Sequence, residues 1–305
     1  MLNRSKFFNI IGIIFGLFIL VAVLLPIVIL PSKEALTNPP TRTAMAAQMG
    51  LDNNVSEPPP YVYYLSDIPI MPPPETAVYD PLTVSERKIS ELPLTLPQVL
   101  PYYGEKTVYL TFDDGPDADN TPAILDILEA NNVKATFFVI GNQVEKNPDL
   151  LRRIFNAGHA IGNHSYSHIY KDLYQSVNTY TDQLEKTDES IKRVIGVRPR
   201  ICRAPGGSSG TFNKEYWDSL TALGYKEFGW NIVSGDASFT KAGQLVANIK
   251  TQIKKNKFLY SHSIVLMHDG RGHSETVKAL PEIINYFKSQ GFEFRVINLE
   301  TPPAW

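Results

Sequence analysis

The chain has 305 residues, 43% hydrophobic and 20% charged, with a formal net charge of -2. Such a length holds one large domain or two smaller ones with a substantial core, and the near-neutral balance excludes the basic footprint of a nucleic-acid binder. A single cysteine, Cys202, excludes an intramolecular disulfide and is expected as a small buried hydrophobe.

Arg4 and Lys6 precede Phe7 to Leu30, a run with no charged residue. At about 1.5 Å rise per residue this run exceeds the roughly 30 Å hydrocarbon core of a bilayer, and it outruns the apolar region of a cleavable signal peptide. It predicts an uncleaved transmembrane anchor at 7–30, with residues 1–6 cytoplasmic and everything after Pro31 outside the membrane. Ala44 to Ala47 leaves later cleavage as the alternative. From 31 to 100, Pro39-Pro40, Pro58-Pro59-Pro60 and Pro72-Pro73-Pro74 recur among polar residues. Proline fixes φ and removes a donor, so this stretch reads as an extended linker, with Tyr61–Tyr64 as a piece that could pack on the domain.

Residues 101–305 alternate strand-like and helix-like stretches. Thr107–Phe112 is β-branched and apolar, and helical spacing follows over Thr121–Asn131. Ala135–Ile140 is the next strand, Pro148–Ala157 a helix stopped by Gly158, and Ala160-Ile161-Gly162 leads into a His-rich turn. Ser176–Ile195 is a long polar helix ending at Gly196. Further strands are expected at Arg200–Arg203, Glu227–Ile232, Ser263–His268 and Phe294–Ile297, with helices at Asn213–Leu223, Ala242–Lys255 and Glu275–Lys288. This order implies an α/β fold with a parallel sheet, its ionisable residues gathered just past strand ends, where α/β barrels build their sites.

Five stretches carry chemistry. Thr111-Phe112-Asp113-Asp114-Gly115-Pro116 puts two carboxylates where a strand gives way to a turn. Adjacent strand side chains point to opposite faces, so both reach one site only if the backbone turns there, which Gly115-Pro116 would supply. His164-Ser165-Tyr166-Ser167-His168 spaces two imidazoles by four, which on a helical turn would let them hold one metal. Two imidazoles and a carboxylate, with a position left for water, form a catalytic metal set. In Arg203-Ala204-Pro205-Gly206-Gly207 the arginine could bind a carboxylate bidentately, and a glycine amide could donate to an oxyanion. Trp230 to Asp236 ends an apolar strand in an Asp. Ile264 to Asp269 ends a strand in His268, suited to a general acid.

In this order the five resemble the polysaccharide deacetylases of carbohydrate esterase family 4, over about residues 100–300. The resemblance implies a distorted (β/α) barrel of seven or eight strands and metal-dependent removal of an acetyl group from an N-acetylated sugar. Asp113 resembles the general base. Asp114, His164 and His168 resemble the metal ligands, for Zn2+ or another divalent transition metal such as Co2+. His268 resembles the general acid, with Arg203 and Asp236 orienting base and acid. An amide near Gly206 would hold the oxyanion, Leu266 would meet the acetyl methyl, and Tyr166 and Trp230 are groove candidates. Two positions depart from the family pattern: Gly206 replaces an aromatic residue, and Ala237 replaces a Trp.

The reading implied is a single-pass, membrane-anchored, monomeric enzyme whose domain acts outside a Gram-positive-like cell on acetylated glycan. N-acetylglucosamine of peptidoglycan is the leading substrate. Chitin-like, other surface or O-acetylated glycans are the alternatives, and a non-catalytic glycan-binding protein is the rival class. Such proteins usually lose a ligand or the base, and none is missing here. No His-Glu-x-x-His run supports a metalloprotease.

Overall fold

A computed structural model describes residues 76–304 except Phe239. The anchor expected at 7–30, and the linker up to residue 75 with Tyr61–Tyr64, lie outside the described residues. Among the described residues no helix is long and apolar enough to cross a membrane.

The strands are β1 (Tyr79–Asp80), β2 (Thr107–Asp113), β3 (Thr136–Val139), β4 (Ala160–Asn163), β5 (Arg198–Pro199), β6 (Ile201–Cys202), β7 (Lys226–Glu227), β8 (Ile232–Val233), β9 (Ser263–His268) and β10 (Glu293–Phe294). The helices are α1 (Val84–Ile89), α2 (Asn120–Ala130), α3 (Gly141–Lys146), α4 (Pro148–Asn156), α5 (Tyr170–Leu173), α6 (Val177–Ile195), α7 (Lys214–Leu223), α8 (Ala242–Lys255) and α9 (Ser274–Ser289).

Seven strands follow the order β7-β6-β4-β3-β2-β9-β8, all parallel, and β10 pairs with the start of β2. The two edge strands, β7 and β8, are consecutive in the chain. The link between them, residues 228–231, can span at most about 18 Å. A flat seven-strand sheet would be about 29 Å wide. The sheet must therefore curl, and it forms a parallel half-barrel whose edges the chain itself joins. The single strand expected at Glu227–Ile232 is thus two short ones around this link.

Alternation sorts the strand residues. Val108, Leu110 and Phe112 of β2 and Val265 and Met267 of β9 face the helices. Tyr109 of β2, Phe138 of β3, Ile201 of β6 and Ile264 of β9 fill the concave side with Phe228, Ile297 and Ala304. Thr111, Asp113, Leu266 and His268 share the parity of that inner set, which brings Asp113 and His268 to the inner rim at the strand ends. Cys202 is fully buried and free.

The linker expectation fails from residue 76 onward. Val78, Tyr79, Leu82 and Val84 are buried, and β1 pairs antiparallel with β5. Asp80 is wholly buried and accepts from Arg87 Nε (2.5 Å), Arg198 Nη2 (3.1 Å) and Arg200 Nη1 (2.7 Å). Those guanidiniums need a carboxylate, and the segment before the barrel supplies it. Packing against the barrel is therefore already present at residues 78–84, well before the boundary expected at 101.

Candidate active site

Asp113 ends β2 with 2% of its surface exposed. Its Oδ1 accepts from Arg203 Nη1 at 2.8 Å. The arginine is fully buried, and the expected bidentate grip is not formed. Its other donors go to Thr111 Oγ1 (2.7 Å), Phe228 O (2.9 Å) and Gly229 O (2.9 Å). The last two carbonyls belong to the link that joins the sheet edges. Its guanidinium also lies 4.1 Å over the Phe138 ring. One side chain thus satisfies the joining link and fixes a carboxylate.

Asp114 turns back to the same site by its own backbone, at φ 76°. Gly115 has a different role: a Cβ there would lie 2.1 Å from Asp269 Oδ2, so only glycine admits that buried carboxyl behind the turn. Burial pushes Asp269 up to about 7, and Thr121 Oγ1 donates to it at 2.5 Å.

The histidine pair does not sit on a helical turn. Residues 164–169 form an irregular loop with Ser165 at φ 66° and His168 at φ 58°. Asn163 Oδ1 accepts the Ser165 amide at 3.0 Å, and Ser165 Oγ accepts the His168 amide at 3.2 Å. Left-handed conformations at three non-glycine residues, 114, 165 and 168, cost about 1–3 kcal/mol each and persist only where surroundings impose them. Here they converge on one spot. Asp114 Oδ1 lies 3.3 Å from His168 Nε2 and 3.6 Å from His164 Nε2, and it is buried without a hydrogen-bond partner among the described residues. Tetrahedral ligands each about 2.0–2.1 Å from a zinc ion stand about 3.3 Å apart. The three groups therefore fit a divalent metal. His164 Nδ1 meets Arg203 O at 2.8 Å, which sets its tautomer and leaves Nε2 as the ligand atom. Burial holds the His164 ring below the usual histidine range, hence neutral and ready to bind.

His268 ends β9 beside Asp113. Its Nδ1 donates to Asp236 Oδ1 at 2.9 Å. Asp236 also accepts from the His268 amide (2.7 Å), Thr276 Oγ1 (2.7 Å) and Ser234 Oγ (2.9 Å). Burial works against its charge, but the His268 and Thr276 bonds outweigh it and hold Asp236 below the usual carboxylate range. Burial likewise disfavours charged His268, yet the Asp236 bond and the charges of Asp113, Asp236 and Asp114 push it up to about 9. His273 stacks on His268 with centroids 4.8 Å apart and planes inclined by 21°. Asp236, His268 and His273 lie close enough for a second metal. Near-parallel stacked rings, however, do not converge their in-plane lone pairs on one ion, and the Asp236 oxygens are already taken.

Gly206 stands at the rim with φ 75°, and its amide donates to none of the described residues, whereas the Gly207 amide goes to Ala204 O (2.8 Å). A Cβ at 206 would lie 3.0 Å from the Tyr170 hydroxyl. The space of the missing side chain is thus filled from another segment. Leu266, 8% exposed, lies two residues before His268 on the same side of β9. Tyr166 is engaged elsewhere: it donates to Glu145 Oε2 (2.9 Å), and its ring carries Lys186 Nζ at 3.6 Å. Trp230 packs against the inner cluster. Ala237 is exposed in the 3-10 turn Asp236–Ser238. Thr111, Ser234, Thr276, His273 and Tyr170 escaped the sequence reading. Of these, His273 had a signal, a second histidine in the loop after His268.

The polysaccharide deacetylase family matches residues 102–228. A peptidoglycan-N-acetylglucosamine deacetylase of Bacillus cereus is 33% identical over 223 residues, 71% of this chain and 78% of that protein. The solved structure of a CE4 esterase from Streptococcus mutans is similar at TM-score 0.60 and 33% identity, over 64% of this chain and 87% of that one. The catalytic domain of a peptidoglycan N-acetylglucosamine deacetylase from Eubacterium rectale gives TM-score 0.60 and 34% identity, over 69% and 96%. Identity at this level over most of a relative's length means that the chain belongs to the polysaccharide deacetylases of carbohydrate esterase family 4.

Proposed function

We propose that this chain hydrolyses N-acetyl groups on N-acetylglucosamine of peptidoglycan, releasing acetate, with a divalent metal held by Asp114, His164 and His168. The observation that carries the reading is an arginine-held carboxylate and an aspartate-held imidazole at neighbouring strand ends, beside a triad spaced for one ion. Zinc suits two imidazoles and a carboxylate, and when bound it supplies Lewis acidity to the acetamide carbonyl and the attacking water.

The chain's own groups then divide the proton work. Asp113 takes the proton of the attacking water, aimed by its hydrogen bond from Arg203. The free amide of Gly206 donates to the oxyanion of the tetrahedral intermediate. His268 delivers a proton to the departing amine through Nε2, because Nδ1 is committed to Asp236. An amide needs that step, since an unprotonated amine is a poor leaving group. Leu266 offers an apolar contact for the acetyl methyl. The names of the relatives support the peptidoglycan substrate, and the uncharged run at 7–30 supports a membrane-tethered enzyme with this domain outside the cell.

The test is acetate release from intact peptidoglycan by the zinc-loaded full chain, with N-acetylglucosamine oligosaccharide beside it. Release from peptidoglycan, abolished by chelator and by Asp113→Asn, is expected. Release from the oligosaccharide alone would move the substrate to another glycan. No release from either, with zinc bound, would refute the deacetylase reading.

A further inference from the structure

Tyr170 is the side chain next to the metal triad that the chemistry above does not use. It opens the four-residue helix α5 and is 53% exposed. Its ring lies 5.3 Å from that of His168, inclined by 41°, and its hydroxyl stands over Gly206. That hydroxyl donates to no group among the described residues. Burial and the charge of Asp114 both raise its pKa, which marks how near the triad it lies.

The ring is also held. Leu173, at the other end of α5, is fully buried. Tyr174, the next residue, donates its hydroxyl to Pro205 O at 2.7 Å, tying α5 to the turn that carries Gly206. Any side chain at 206 would displace the Tyr170 ring. A large aromatic surface is thus kept rigid and half-open beside the site where an acetamide reacts. Such a face is costly to leave in water and gains most from a flat apolar partner bearing polar edges.

We propose that Tyr170 is a sugar-stacking platform that binds a pyranose ring of the glycan beside the reacting residue and so sets specificity. This rests on the glycan reading above. The C–H face of the sugar packs on the ring, and the free hydroxyl meets a sugar oxygen. Tyr170 binds and positions substrate and moves no proton.

The test uses the zinc-loaded full chain carrying Asp113→Asn, titrated calorimetrically with N-acetylglucosamine tetramer, with and without Tyr170→Ala. The alanine change is expected to weaken binding roughly tenfold, while Tyr170→Trp stays within about threefold. Phe258→Ala, an exposed aromatic just before the start of β9, is the control and should change nothing. Zinc content should be the same in all. Unchanged affinity in Tyr170→Ala would overturn the proposal. So would failure of the tetramer to bind the parent, or loss of zinc together with affinity, which would make Tyr170 a support for His168. In the Asp113 chain, Tyr170→Ala should raise KM and leave kcat within about twofold. Tetramer binding without acetate release from any glycan would sink the deacetylase reading and leave the subsite standing.

Discussion

Asp113 and His268 are register partners at the ends of adjacent parallel strands, β2 and β9, and the Asp269 amide donates to Asp113 O at 3.1 Å. The proposed base and acid are thus separated by one sheet spacing, and each is pinned by a different partner. Arg203 reaches Asp113 from just past the end of β6, and Asp236 reaches His268 from the turn after β8. The Asp236 bond and the surrounding carboxylates hold the imidazole as a cation at neutral pH.

The pH profile follows. A folded pKa of about 9 keeps His268 protonated at neutral pH, and activity is lost as pH rises through that value. A cation at the triad adds positive charge nearby and lowers the titration, so the alkaline limb of kcat should fall at or below about 9. Asp236→Asn removes the strongest group holding the proton. It should move the limb to lower pH and cut kcat at least about a hundredfold, with zinc content unchanged. An unmoved alkaline limb would separate His268 from the profile.

Metal loading is the second expectation. Zinc analysis of His164→Ala and His168→Ala should show the ion lost in each, while circular dichroism keeps its parental form. Asp113→Asn should keep zinc and lose turnover. Zinc retained at one per chain in both histidine variants would refute the triad.

Much of this site is legible because each group follows a strand whose β-branched or apolar run is plain, as at Thr107–Asp113 and Ser263–His268. The long helix α6 is equally plain, bounded by Ser176 and Gly196. What hides is set by distant partners. Nothing local says that Asp114, Ser165 and His168 adopt left-handed backbone, because glycine, the usual marker, is absent from those positions. A helical turn between the histidines was therefore the natural reading. Glu227–Ile232 looks like one strand until Arg203, 25 residues before Phe228, claims the carbonyls in its middle. The proline-rich composition of the preceding segment conceals Asp80, whose ion pairs are with three arginines, one nearby and two beyond residue 197.

Truncation tests that last point. A chain beginning at residue 97 would lack Asp80 and leave Arg198 and Arg200 buried without it. Arg200 already sits near about 9, through burial and the charge of Arg198. Breaking a buried pair by removing one partner costs about 3–5 kcal/mol. The shortened chain should unfold at markedly lower urea than one beginning at residue 76, and Asp80→Asn in the longer chain should reproduce part of the loss. Equal midpoints for the two chains would show that the segment is dispensable.

His159 supplies an acid limit on stability that is independent of catalysis. It is 3% exposed, accepts the Ala135 amide on Nδ1 at 3.1 Å, and packs edge-on against Phe137. Burial, with Lys134 and Arg153 adding to it, lowers its pKa from 6.5 to about 3. The fold therefore holds the neutral ring, and this contribution is fully present above about 6.5 and lost as pH falls toward 3. The slope in that window is about 1.4 kcal/mol per pH unit. Urea unfolding at pH 7.5 and 5.5 should show the parent losing about that much more than His159→Gln, whose amide oxygen can still accept from Ala135 but does not titrate. The same loss in both chains would place the acid sensitivity on other groups.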